Sequence, residues 1–324
     1  MVIRDLEASL KPGPRVIALG FFDGVHLGHQ SLLREMRNIA AMKKLIPTVF
    51  TFLDPPGRLF DSEQRFPGLL QMREDRLAAL RHFGAEDIMA APLSKEILDL
   101  PPERFLNWLF REKMDVRHAI CGLNFTFGKK AEGDIQLLAN FAKKEHIGLS
   151  IMEDCSYKEE IISSTRLREM VRRGEMEEAN RLMATPFSHV EKVSQGKKLG
   201  RRLGFPTLNI ALQADMVVPR FGVYASLVSW DNKICPAISN IGVRPTVEQT
   251  SLARSESFLY GEESPSYGDT IRVTYLRFIR PEENFHSAER LQAQVLSDLE
   301  RVRLDHEQHP EEYRQVQEYR QVHF

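Results

Sequence analysis

Hydrophobic and polar positions alternate along the first half of the chain in the manner of a parallel sheet covered by helices. Short apolar runs predict strands, and the segments between them have helical periodicity. The predicted strands are Val16–Phe22, Thr48–Phe52, Asp87–Ala91, Arg117–Cys121 and Leu149–Met152. The predicted helices are Gly28–Lys43, Arg73–Phe83, Pro102–Lys113 and Ile135–His146. In such an α/β fold, ligands bind beyond the carboxyl ends of the strands.

A helix is predicted from Thr165 to Met183, with a possible break at Gly174, and the pattern changes after it. Short strands separated by turns, without intervening helices, predict a small closed antiparallel β-barrel. The predicted strands are Phe187–Val193, Val223–Ser229, Ile234–Ile241, Arg254–Leu259 and Thr270–Phe278.

A C-terminal helix is predicted from His286 onward. Its apolar stripe is expected to pack on the barrel rather than to contact substrate. The stripe consists of Leu291, Val295, Leu299 and Val302.

The change of pattern predicts three regions: an α/β domain at 1–185, a barrel domain with its helix at 186–304, and a polar tail at 305–324. A chain of 324 residues is long enough for two domains that each bury a core. The tail has no apolar stripe, so we expect a marginal helix or no ordered structure there.

Composition narrows the functional classes. Hydrophobic residues make up 42% and charged residues 27% of the chain, and no apolar run approaches a membrane span, so a cytoplasmic protein without membrane contact is expected. The net charge of −1 gives no field that would attract nucleic acid. The three cysteines, Cys121, Cys155 and Cys235, are far apart in sequence and are expected to be reduced, buried thiols.

The densest chemical signal follows the first predicted strand, in the segment Ala-Leu-Gly-Phe-Phe-Asp-Gly-Val-His-Leu-Gly-His from Ala18 to His29. It is typical of a strand, a tight turn and a helix start. The first N–H groups of a helix lack intrahelical partners, so such a junction suits a phosphate, and Gly28 permits close approach to the backbone. A histidine pair at this spacing is also common on a solvated helix face, and no further metal ligands lie nearby in sequence.

Gly20, Phe22, Asp23, Gly24, His26, Gly28 and His29 together form Gly-x-Phe-Asp-Gly-x-His-x-Gly-His. This motif resembles the signature of nucleotidyltransferases that transfer AMP or CMP onto a phosphate. It is most similar to the adenylyltransferase domain of the bacterial bifunctional riboflavin kinase/FMN adenylyltransferases. The resemblance implies that His26 and His29 are catalytic and that the other five residues bind the nucleotide.

Two further stretches resemble the same domain. Gly122–Asp134 is a glycine-bounded loop, and the resemblance assigns Asn124, Phe125 and Phe127 to flavin binding. Ile161–Arg168 is similar to the family's Ile-Ser-Ser-Thr-x-Ile-Arg, which implies nucleotide binding by Ser164 and Thr165 and a catalytic Arg168. Structural alternatives are aromatic rings that close the core and hydroxyls that cap a helix.

A second motif lies in the barrel region. Gly200–Asn209 reads Gly-Arg-Arg-Leu-Gly-Phe-Pro-Thr-Leu-Asn and resembles the riboflavin kinase signature. A basic glycine loop is also common as a solvated turn. Thr207 and Asn209 face the same side of an extended strand, and the resemblance implies that they hold Mg²⁺. It also assigns a set of residues to nucleotide binding: Gly196, Lys197, Gly200, Arg201, Gly204 and Pro206.

Glu256 occupies the position of the family's general base, although a glutamate in a strand is more often solvent-exposed. The sequence departs from the family pattern in two places. Ser257–Gly261 lacks the usual histidine after Glu256, and Pro55 stands where a histidine is usual before Pro56. Asp54 is a candidate to compensate for the missing histidine at position 55 by binding magnesium.

The resemblance implies an enzyme that uses ATP and Mg²⁺ to convert riboflavin to FMN and FMN to FAD. Its expected partners are riboflavin, FMN and ATP, in a monomer or weak homo-oligomer. Two alternatives stay open: an enzyme with only one of the two activities, and an inactive regulator that binds flavin or nucleotide.

Overall fold

The computed structural model describes residues 2–3, 10–55, 67–195, 205–243, 253–261, 263–285, 287–312, 314 and 316. The chain divides into two compact units. The first comprises Met1–Phe66 and Arg73–Ser163, and the second comprises Pro67–Met72 and Ser164–Phe324. The segment from 164 to 185 therefore groups with the second unit, and the domain boundary after residue 185 stays a prediction.

The first unit is a six-stranded parallel sheet with helices in the connections, in the strand order β1-β4-β3-β2-β5-β6. This confirms the α/β fold. Its strands are β1 Val2–Ile3, β2 Pro14–Leu19, β3 Ile46–Phe52, β4 Asp87–Ala91, β5 Asp115–Gly122 and β6 Gly148–Met152. Its helices are α1 Leu27–Lys43, α2 Arg73–His82, α3 Lys95–Leu98, α4 Pro102–Asn107 and α5 Ile135–Lys144, and a short hairpin joins β7 Ser156–Tyr157 to β8 Glu160–Ile161.

The position of β2 fixes where a ligand can bind. The chain passes from β2 to β3 and β4 on one side and later returns to β5 on the other, so the carboxyl end of β2 is a topological switch point. At the opposite end, buried Arg15 bonds Thr48 Oγ1 and Asp87 Oδ2, each at 2.8 Å, and ties the starts of β2, β3 and β4 together. This buried network lies at the end of the sheet opposite the predicted chemistry.

The second unit contains a six-stranded antiparallel sheet in the order β10-β13-β12-β11-β14-β9. The Ser194 amide donates to the Asn209 carbonyl at 2.8 Å, which joins the two edges and gives the predicted, nearly closed barrel. The strands are β9 Ser188–Lys192, β10 Leu208–Ala211, β11 Gly222–Trp230, β12 Lys233–Gly242, β13 Arg254–Leu259 and β14 Thr270–Pro281.

Among the described residues of the second unit, the helices are α6 Ser164–Arg173, α7 Met176–Leu182 and α8 Ala288–Gln308. Gly174 has φ +81° and separates α6 from α7, which confirms the predicted break. Ser287 caps α8 by accepting a bond from the Arg290 amide. None of the described helices has the length and apolar character needed to cross a membrane.

The start of the polar tail is more ordered than the sequence pattern indicates. Helix α8 continues to Gln308, and Val316 is buried in a cluster with Leu227 and Leu276. Arg277 of β14 forms ion pairs with Asp305 and with Glu312, at 2.8 Å in the second case. This segment is held in place by contacts with residues that are distant in sequence. A pattern of neighbouring residues does not reveal such contacts.

Candidate active sites

The turn after β2 has an unusual backbone. Phe22 has φ 62°, Gly24 has φ 79° and Val25 has φ 36°. Positive φ costs a residue with a side chain about 1–3 kcal/mol, and residues of this kind cluster at functional sites. The turn lies at the switch point of the sheet, so its strain and its location indicate the same site.

His26 caps helix α1 and packs directly on His29. Its Nδ1 accepts a bond from the His29 amide at 3.4 Å, and the two rings are stacked with centroids 3.6 Å apart. A Cβ at Gly28 would lie 3.3 Å from the His26 ring, so glycine at this position lets the imidazole lie against the helix. Because Nδ1 accepts, the neutral His26 ring carries its proton on Nε2.

Burial controls the charge of His29. The pKa of His29 lies well below its usual value, chiefly because burial disfavours the imidazolium and secondly because of the nearby His26. His29 Nδ1 is buried and has no hydrogen-bond partner among the described residues. His29 therefore offers a neutral imidazole at the start of α1, where the backbone N–H groups also favour an anion.

Arg76 of α2 organises the strand ends beside this turn. Its Nη1 donates to the Phe21 carbonyl at 2.7 Å, and its Nη2 donates to the Phe52 and Leu53 carbonyls, each at 2.9 Å. Burial lowers the Arg76 pKa to about 10, while the charge of buried Asp23 opposes that shift. Sequence analysis missed Arg76, because an arginine in a predicted amphipathic helix normally faces solvent.

Asp54 has a partner within its own unit. Its Oδ1 accepts a bond from Arg73 Nη2 at 2.9 Å, and both side chains are partly exposed. This pair lies next to Pro55, just beyond the carboxyl end of β3. Compensation for the missing histidine through magnesium at Asp54 stays a prediction.

An aromatic cavity of about 300 Å³ opens beside Gly20 and Phe21. Asn124, Phe125 and Phe127 all line it, and the rings of Phe125 and Phe127 are stacked 5.6 Å apart. Phe127 also belongs to the buried core, so one ring serves both the core and the cavity wall. The other aromatic residues of the lining are Phe50, Phe52 and Phe105. The aromatic lining suits a planar ring system.

Ser164, Thr165 and Arg168 lie at the start of α6, in the second unit. Arg168 Nε donates to the Gly68 carbonyl at 2.7 Å. Their assembly with the histidine pair of the first unit stays a prediction.

A second cavity, of about 420 Å³, lies in the barrel unit and combines polar groups with apolar walls. Glu256 and Thr207 both line it. Glu256 pairs across the sheet with Asn209 on β10 and with Asn240 on β12. Directly paired residues point to the same face, so the carboxyl lies between two amides. Asn240 Nδ2 also donates to Glu282 Oε1 at 3.2 Å.

Helix α8 supplies part of the wall of this barrel cavity. Leu291, Val295 and Leu299 line it, whereas Val302 packs into the core with Val223 and Ala225. The predicted packing of the stripe on the barrel is therefore confirmed for Val302. The other three residues face a cavity, which sequence periodicity alone does not distinguish from a core.

Part of the predicted nucleotide set falls outside the described residues: Gly196, Lys197, Gly200, Arg201 and Gly204. Pro206 is described and exposed, one residue before Thr207.

The residues present fit magnesium. Within the described ranges there is no cluster of three or more His, Cys, Asp or Glu side chains arranged for a metal ion. Mg²⁺ usually takes only one or two protein ligands and completes its shell with water and substrate phosphates, and it prefers oxygen donors. Thr207, Asn209 and Glu256 offer a hydroxyl, an amide and a carboxylate oxygen.

Comparison with known proteins assigns a class to each half of the chain. Residues 9–166 match the family of FAD synthetases, and residues 183–304 match the family of riboflavin kinases. The fold thus corresponds to a nucleotidyltransferase domain followed by a kinase domain.

Individual relatives match over nearly the whole chain. The bifunctional riboflavin kinase/FMN adenylyltransferase of Listeria monocytogenes is 31% identical over 290 residues, with 89% of this chain and 91% of the relative covered. The Bacillus subtilis enzyme of the same description is 30% identical, with 87% and 90% covered. The chain belongs to the family of bifunctional riboflavin kinase/FMN adenylyltransferases.

One solved structure has a similar fold over its full length. It is described as a macrolide-efflux protein from Streptococcus pneumoniae and has a TM-score of 0.83 at 27% identity, with 94% of this chain and 98% of that chain covered.

Proposed function

We propose that the chain catalyses two ATP-dependent reactions, the phosphorylation of riboflavin to FMN and the adenylylation of FMN to FAD. The observation that carries the proposal is the barrel cavity, where Glu256 stands between two amides beside apolar walls. The strained histidine turn beside an aromatic cavity supports the second reaction. Family membership supports both.

In the barrel, Glu256 accepts the proton of the terminal ribityl hydroxyl. The hydroxyl oxygen then forms a bond to the γ-phosphorus of ATP, the bond from that phosphorus to the bridging oxygen breaks, and ADP leaves. Asn209 and Asn240 flank the carboxylate and orient it. Thr207 and Asn209 would hold Mg²⁺, which would supply positive charge to neutralise the transferring phosphate.

In the first unit, a phosphate oxygen of FMN bonds to the α-phosphorus of ATP, and pyrophosphate leaves. The nucleophile is already an anion, so the reaction needs no general base. The imidazoles of His26 and His29 and the first N–H groups of α1 donate hydrogen bonds to the phosphates as charge develops. The aromatic cavity takes the flavin ring, with Asn124 to fix its orientation. Ser164, Thr165 and Arg168 complete the phosphate site.

The proposal extends to the setting of the enzyme. We place it in the cytoplasm, where both reactions find ATP, as a monomer or weak homo-oligomer with no membrane or nucleic-acid partner.

One alternative rests on a specific observation. Pro55 removes a candidate phosphate ligand, and neighbouring Asp54 is engaged with Arg73. An enzyme with kinase activity alone is therefore the second candidate.

Chromatography of the reaction products separates the candidates. The purified protein is incubated with ATP and Mg²⁺, once with riboflavin and once with FMN. We expect FMN followed by FAD from riboflavin, and FAD from FMN. FMN as the sole product, with no FAD from either substrate, supports the alternative. Binding of flavin without any product indicates an inactive regulator and contradicts the proposal.

A further inference from the structure

One ion pair in the lining of the barrel cavity is unused by the chemistry described above. Arg280, at the end of β14, makes two bonds from Nε to the Asp298 carboxylate, at 2.9 and 3.0 Å, and a third from Nη2 at 2.6 Å. Asp298 is 5% exposed and also accepts a bond from Gln294 at 2.9 Å. The pair is thus nearly buried and has several bonds in a fixed geometry.

The location of the pair connects it to the cavity. Arg280 and Asp298 both line the barrel cavity. Asp298 lies on α8 three residues after Val295 and one residue before Leu299, both of which face the same cavity. A contact that fixes Asp298 therefore also fixes the rotation of the apolar wall that α8 presents.

Arg280 also holds the opposite side of the cavity. Its Nη1 donates to the Pro281 carbonyl at 2.9 Å, and its guanidinium carbon lies 5.9 Å from the centre of the Phe285 ring. Phe285 and the residues between it and Pro281 line the same cavity. One guanidinium group thus joins the helix wall to the segment that follows β14.

We propose that the Arg280–Asp298 pair is a positioning device that sets the width of the barrel cavity and thereby its affinity for the flavin ring. This inference rests on the proposed kinase function. A flat ring gains binding energy only where both walls contact its faces, so a helix that rotates or withdraws loses those contacts. Neither side chain supplies or accepts a proton in the reaction, so the pair acts on substrate binding rather than on phosphoryl transfer.

Kinase kinetics test this inference on the full-length protein. The variants are Arg280→Gln, Asp298→Asn and the double variant, and steady-state phosphorylation of riboflavin gives KM and kcat separately. Arg303→Gln is the matched control, since Arg303 pairs with Glu300 and Glu307 on the exposed side of the same helix. FMN adenylylation by the same preparations measures the activity of the other unit.

We expect each single variant to raise the KM for riboflavin about tenfold and to lower kcat by less than about twofold, because a loss of wall contacts weakens binding but not the chemical step. The double variant should resemble the single variants rather than multiply their effects, since both substitutions break one contact. Arg303→Gln should leave KM unchanged.

A purely structural role makes a different prediction. Loss of folded protein lowers the apparent kcat and leaves KM unchanged, and that result overturns the inference. Multiplicative effects in the double variant, or an equal change in Arg303→Gln, also overturn it. If the wild-type protein forms FMN but the variants have the same KM for riboflavin as the wild-type protein, the positioning role is wrong and the proposed kinase function stands. If the wild-type protein forms no FMN, the proposed kinase function fails, and the inference fails with it.

Discussion

His29 shows at the scale of one residue how burial prepares a group for phosphate chemistry. A cation at this position would attract ATP, but its burial would be costly when no ATP is bound. The neutral His29 ring, stacked on His26, avoids that cost, and hydrogen-bond donation becomes its main contribution. The same burial has a consequence for stability that experiments can measure.

The first prediction concerns acid stability. The pKa of His29 is lower in the folded state than the value of about 6.5 expected in the unfolded chain, so below about pH 6.5 the unfolded state binds the proton first. Stability is therefore complete above that pH and falls as the pH drops, by up to about 1.4 kcal/mol per pH unit for each such histidine. His189, with its pKa lowered to about 4 by burial, adds the same effect to the barrel unit.

Denaturant unfolding followed at pH 7, 6 and 5 checks this prediction. We expect the free energy of unfolding to decrease steadily, and to decrease less in His29→Asn than in the wild-type protein. A constant or rising value between pH 7 and 5 contradicts it.

The second prediction concerns Arg76. Arg76→Lys keeps the charge but cannot serve three separated carbonyl groups, so buried acceptors lose their partners at about 1–3 kcal/mol each. We expect a lower melting temperature and slower formation of FAD from FMN, with riboflavin phosphorylation unchanged. Arg81→Gln, on an exposed position of the same helix, is the control. Equal adenylylation rates in both variants contradict a role for Arg76 at the site.

Sequence reveals residues of these sites only where chemistry and local geometry coincide. His26, His29 and Gly28 form one turn, so their spacing alone indicates a site for phosphate. Arg76 and Arg280 find their partners across the fold, and a charged residue in a helix or strand normally indicates exposure. Their roles depend on contacts that no local pattern contains.

At the scale of elements, local signals are sufficient for most of the fold. Alternation of apolar strands and amphipathic helices predicts the parallel sheet, and Gly174 predicts the break between α6 and α7. The ordered start of the tail is the exception. Val316 lies between Gln315 and Gln317 in a largely polar segment, and its burial depends on Leu227 and Leu276.

The third prediction tests how this tail is held. Arg277 pairs with Glu177 on α7 at 3.0 Å as well as with Asp305 and Glu312, so one cation joins three segments. Arg277→Gln leaves these carboxylates without their cation, and the loss costs more than the roughly 0–1 kcal/mol of an exposed ion pair because Arg277 and Asp305 are largely buried.

Hydrogen exchange and thermal unfolding give the readout for Arg277→Gln. We expect faster exchange in residues 305–316 and a lower melting temperature. The surface variant Arg303→Gln should change neither. Unchanged exchange in the tail segment of Arg277→Gln shows that the ion pairs do not hold it.

At the scale of the whole molecule, each compact unit contains its own cavity. The aromatic cavity and the histidine turn belong to the first unit, and Glu256 with its amide neighbours belongs to the second. Replacement of a catalytic residue in one unit must therefore abolish the reaction of that unit and leave the reaction of the other unit unchanged.

Product time courses of two single variants test this central claim most directly. His29→Asn and Glu256→Gln are each given ATP and Mg²⁺ with riboflavin or with FMN. His29→Asn should accumulate FMN from riboflavin and form FAD at least about 100-fold more slowly, as expected for the loss of a donor to the transition state. Glu256→Gln should form FAD from FMN at the wild-type rate and no FMN from riboflavin. Parallel loss of both reactions in either variant, or undiminished activity in both, contradicts the account.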